Sequence, residues 1–111
     1  MKYPITAEQI SEETRKNLGC DSPDEEAVIC GYIALMANKA YYSAFTGKIP
    51  APAHYGFFIE AQLKSAFSVV AEDDNMLRIY MHHVAEIIAT HCTEAALQGV
   101  SDGKQKMHVV Y

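Results

Sequence analysis

The sequence predicts an all-α protein, a compact bundle of about four helices with a short C-terminal extension. Three observations carry that expectation. Apolar residues recur at helical spacing through the long stretches, and Gly, Pro and Ser/Asp punctuation divides those stretches from one another. Only the closing run MHVVY leans toward β structure. A single helical domain is expected over residues 1–100, followed by a tail over 101–111 that is either a strand or disordered.

The first helix opens at Thr6, which with Gln9 three residues later resembles a capping box. Ala7, Ile10, Thr14 and Leu18 form its narrow apolar stripe, and Gly19 ends it. The second helix has the best-defined start, with Ser22 as N-cap, Pro23 at the first helical position and Glu25 at the third. It runs to about Thr46 and stops at Gly47.

At about 100° per residue, Ile29, Ile33, Met36, Ala37, Ala40 and Ala44 gather on one side of this helix. Val28, Tyr32, Leu35 and Tyr42 gather near the other, beside Asn38, Lys39 and Ser43. A helix that is apolar on two faces requires cover on both.

Residues 47–56, GKIPAPAHYG, form a loop in which two prolines hold Ile49 and Ala51 extended. The third helix is expected from Tyr55 to Ala71, with Ile59, Leu63, Ala66, Phe67 and Val70 on its core face. Asp73, Asp74 and Asn75 break and recap the chain. The fourth helix is expected from Met76 to Gln98, with Leu77, Tyr80, Met81, Val84, Ile87, Ile88 and Ala95 inward and Gly99 as its stop. Its far side carries Arg78, His82, Glu86 and Thr93.

The 111 residues are half hydrophobic and 21% charged, a globular balance that excludes a disordered chain. Three cysteines, Cys20, Cys30 and Cys92, form no CxxC pair and suit a reducing compartment. The N-terminal run MKYPITAEQISEE lacks the apolar core of a signal peptide, and Asn38 and Lys39 interrupt the most apolar stretch before it could span a bilayer. A cytoplasmic protein without membrane contact is the resulting expectation.

The net charge of -5 is concentrated near the N-terminus. Glu12, Glu13, Asp24, Glu25 and Glu26 make an acidic patch that suits a solvated face or a basic partner. Direct nucleic-acid binding is disfavoured because the nine basic residues are scattered. Mimicry of nucleic-acid phosphates by the acidic segment is a weaker alternative.

No motif supplies a catalytic site. GxSxG and phosphate-binding glycine loops are absent, and HHVAEI matches none of the zinc-protease patterns. His82 and Glu86, four residues apart, are weak metal candidates that read more simply as a surface pair. His91 falls on the apolar face of the fourth helix and is expected to be buried against a backbone carbonyl or a tyrosine. Cys30 and Cys92 read as small core residues, and Cys20 as a loop thiol.

Neither an enzyme nor a cofactor is therefore expected. The leading expectation is a regulator, adaptor or inhibitor that binds another protein, as a homodimer. The aromatic cluster around the proline loop, Tyr41, Tyr42, Phe45, Lys48, His54, Tyr55, Phe57 and Phe58, is the candidate partner surface. Val28, Tyr32, Leu35, Lys39 and Tyr42 are the candidate dimer contact, with Gly31, Ala34, Ala37, Ala40 and Ala44 allowing close approach. The alternative is a ligand or metal site inside the bundle, lined by Tyr32, Met36, Phe67, Met81 and His91.

Overall fold

The computed structural model describes residues 2–109, with side chains through residue 105. A 3-10 turn at Ala7–Gln9 precedes α1 (Glu12–Leu18) and α2 (Pro23–Phe45). A second 3-10 turn at Pro52–His54 leads into α3 (Tyr55–Val70), and α4 (Asn75–Val109) completes the chain. An all-α bundle is what forms, and no strand occurs among the described residues.

The starts follow the local chemistry. The Ser22 hydroxyl accepts the Glu25 N–H at 3.1 Å, and Asp74 Oδ1 accepts the Leu77 N–H at 2.9 Å, each satisfying a donor that a helix start leaves unpaired. Gly19 and Gly47 end their helices at φ of 63° and 75°, the left-handed conformation that favours glycine. The first predicted helix is in fact two pieces. Ile10 is extended at φ -62°, ψ 129°, and the Ser11 hydroxyl caps α1 afresh by accepting the Thr14 N–H at 3.2 Å.

The central element is α4. Helices α2 and α3 both pack along α4 and scarcely touch each other. Gly99 does not end α4, which continues through Gly99 and Gly103 to Val109, so the expected tail is largely helical. Val110 and Tyr111, the end of the β-leaning run, lie outside the described residues. Gly99 is a packing residue. A Cβ built there would lie 2.3 Å from the Tyr41 carbonyl oxygen, and one on Gly103 would lie 2.7 Å from that of Phe45. The missing side chains let α2 and α4 approach backbone to backbone, beside Ala37, Ala40, Ala44, Ala95 and Ala96, all buried.

This seam also corrects the expected use of the small residues of α2. Ala34, Ala37, Ala40 and Ala44 are consumed within the chain, and only Gly31 stays open. A similar approach joins α3 to α4, where a Cβ on Gly56 would lie 2.0 Å from Thr93 Oγ1. Thr93 therefore faces α3 instead of solvent.

One flank of the α2–α4 pair is closed by the N-terminal segment. Asn38 Oδ1 accepts the Ile5 N–H at 2.8 Å while its Nδ2 donates to the Ile5 carbonyl at 2.7 Å. Gln98 holds Tyr3 in the same two-sided way, at 3.2 and 3.4 Å. The two amides supply the pairing that a neighbouring strand would, and Tyr3, Ile5 and Ile10 are buried beneath. Leu18 of α1, fully buried, extends the same cover.

Tyr41 ties the far end of the seam by donating to Asp102 Oδ2 at 2.7 Å. That hydrogen bond, with burial, pushes the tyrosine up to about 12. An unfolded tyrosine ionises near 10, so this contribution is complete below pH ~10 and is lost as pH rises toward 12. Tyr41→Phe is expected to cost about 1–2 kcal/mol at neutral pH and to make the alkaline loss shallower. Tyr3, Tyr55 and Tyr80 are raised mainly by burial, so some slope persists. Urea midpoints measured from pH 9 to 12 check this, and an unchanged slope in the phenylalanine variant would refute the assignment.

Candidate functional site

The outer row of α2 remains uncovered. Val28 is 73% exposed, Leu35 65% and Tyr32 43%, with Lys39 and Tyr42 exposed on the same stripe. Helix α1, which could have covered this row, packs instead on the other flank with Leu18 inward.

Beside the row lies an apolar trough of about 670 Å³. Val28, Ile29, Tyr32 and Leu35 form its α2 wall, Phe67 and Val70 its α3 wall, and Leu77, Tyr80, Met81, Val84 and Ile88 its α4 floor. The trough opens because α2 scarcely touches α3. The N-terminal half of α3 is buried through Gly56, Ile59 and Leu63, whereas Ala66, Val69 and Val70 are exposed, a departure from the expected core face. Three long helices thus leave the space that a fourth would occupy in a bundle. Val28, Tyr32, Leu35, Val70 and Leu77 together present on the order of 500 Å² of apolar surface, the upper end of the largest patch usual on a monomer. At one end the Tyr80 hydroxyl lies 3.4 Å from Cys20 Sγ and 3.5 Å from Glu25 Oε1. Burial first, then the Cys20 contact, raises its pKa, so it stays protonated at neutral pH.

A second cleft of about 550 Å³ opens at the proline loop, lined by Ser43, Lys48, Ile49, Pro50, Ala51, His54, Tyr55 and Phe58. The expected aromatic cluster divides there. Phe57 and Phe58 are 71% and 60% exposed, and His54 stacks on Phe57 with ring centroids 6.2 Å apart. Tyr42, Lys48 and His54 are also exposed. Tyr41 is buried, and Phe45 and Tyr55 pack against the core, so these three are structural because the α2–α4 seam and the buried half of α3 claim their rings.

The acidic patch divides as well. Glu12, Glu13, Asp24 and Glu25 are exposed, while Glu26 is half-buried and paired with Arg15 at 3.1 Å. Arg15 also donates to the Ala7 and Ile10 carbonyls, so Glu26 serves to fasten α1 to α2.

The expected His82–Glu86 pair is not made. His82 Nε2 lies 3.0 Å from Ser68 Oγ, and Glu86 accepts from Lys64 at 3.0 Å. The Lys64 bond is the main cause of a lowered Glu86 pKa and a raised Lys64 pKa. Among the described residues no group of three or more His, Cys, Asp or Glu could hold a metal ion. His91 is buried with Nδ1 3.0 Å from the Ile87 carbonyl, as expected for a structural histidine. It does not reach the trough, and neither does Met36, so the imagined ligand site is not assembled as a set. Cys30 and Cys92 are buried thiols, Cys92 pushed up to about 11 by burial.

No helix among the described residues is long and apolar enough to cross a membrane. Comparison with protein-family models, curated proteins and solved structures gives no match.

Proposed function

We propose that the protein is a non-catalytic binding protein whose first partner is a second copy of itself, joined through the outer row of α2. The observation that carries this reading is the row of Val28, Tyr32 and Leu35, left exposed beside an apolar trough after the chain has closed its own core. A patch at the upper end of what monomers expose is often functional, and a second copy seated on this row would remove it from water. The histidines support a non-catalytic reading, since His82, His83 and His91 each contact a serine hydroxyl or a backbone carbonyl within the fold. The three unpaired thiols suit a cytoplasmic protein.

Sedimentation at micromolar concentration is expected to give twice the 12.3 kDa chain mass. Leu35→Glu places a charge on the row and is expected to shift the equilibrium to monomer by more than about tenfold, with helicity unchanged, because Leu35 makes little of the monomer core. A fully helical monomer for the unaltered chain would overturn the proposal.

A further inference from the structure

We infer that the two copies meet through antiparallel α2 helices, about a twofold axis passing between Gly31 and Tyr32; this rests on the homodimer reading. Asp24, Val28, Gly31, Leu35 and Lys39 recur at the three- and four-residue spacing that keeps one stripe of a helix facing a partner helix. In a twofold antiparallel pair the numbers of facing residues have a constant sum. A single register sets Val28 against the partner's Leu35, Asp24 against the partner's Lys39 and Gly31 against the partner's Tyr32.

Each match has a physical content. Val28 and Leu35 are the two most exposed large aliphatics of α2. Asp24 and Lys39 are both exposed and form no ion pair among the described residues. Fifteen residues separate them, about 22 Å along the helix, so the two opposite-charge pairs would bracket the apolar centre. Gly31 is the third match. An interior helical glycine costs about 1 kcal/mol relative to alanine, yet a Cβ there meets nothing within 4 Å in its own chain. The fold does not need that glycine; a tyrosine ring from a facing helix does.

Competing arrangements lose these matches. Parallel helices would oppose Asp24 to Asp24 and Lys39 to Lys39. Sliding the antiparallel pair by four residues opposes Val28 to Lys39.

Thiol trapping tests the register. With Cys20→Ser throughout, Val28→Cys, Leu35→Cys and the double variant are oxidised mildly at micromolar concentration. The sites are exposed, so folding should persist, and seven residues of helix separate them too far for a bond within one chain. The double variant is expected to form covalent dimer at least about tenfold faster than either single variant. Equally fast trapping of Val28→Cys alone would overturn the antiparallel arrangement. A sedimenting dimer whose double variant fails to trap would overturn the register while leaving the homodimer standing. A monomer would overturn both.

Discussion

Gly99→Ala is expected to lower the unfolding free energy by about 3 kcal/mol, a large part of the 5–15 kcal/mol typical of a domain. The new Cβ would sit 2.3 Å from the Tyr41 carbonyl oxygen and 3.1 Å from the Phe45 nitrogen. Both are backbone atoms, so no rotamer change relieves the overlap and the two helices must separate. Separation loosens Ala40, Ala44, Ala95 and Ala96, which are buried only because the axes run close. Urea unfolding checks the sign as well as the size. Helix propensity alone would make alanine about 1 kcal/mol more stable than glycine, and that outcome would show the close approach to be unimportant.

Asn38→Leu should be the next most damaging polar change, at about 2–3 kcal/mol, because it leaves the Ile5 N–H and carbonyl part-buried without partners. Leucine keeps the heavy-atom branching of asparagine and leaves no cavity, so the exchange behaviour of Ile5 separates lost hydrogen bonding from altered packing. Hydrogen exchange should show the Ile5 amide losing protection well before the amides of α4, and unchanged protection at Ile5 would contradict the clamp. Adding Gln98→Leu should cost less than in the unaltered chain, since both amides hold one segment and the second release finds it already loosened.

Sequence legibility followed the reach of each interaction. The start of α2 was readable because Ser22, Pro23 and Glu25 act within one turn, and its outer row was readable because helical periodicity needs only neighbours. The buried positions of Cys30, His91 and Cys92 were readable from the same periodicity. Gly99 was not, since a terminating glycine and a packing glycine are the same letter, distinguished by what lies opposite. Asn38 looked like an interruption of an apolar face because its partner is 33 residues away. Tyr41 falls in sequence among the rings near the proline loop, and the carboxylate that it meets lies 61 residues away, in a segment that reads as tail. The trough depends on α2 and α3 lying along α4 without meeting each other, and no stripe of apolar residues announces that.

The grip of Gln98 on Tyr3 sets an order of events during synthesis. Tyr3 leaves the ribosome well ahead of Gln98, one of the two clamps on its segment, which follows 95 residues later. Helices α2 and α3 can form while they wait, yet neither the seam nor its flank can close without α4. Until α4 is made, Tyr3, Ile5 and Ile10 therefore lack the cover under which the folded protein buries them.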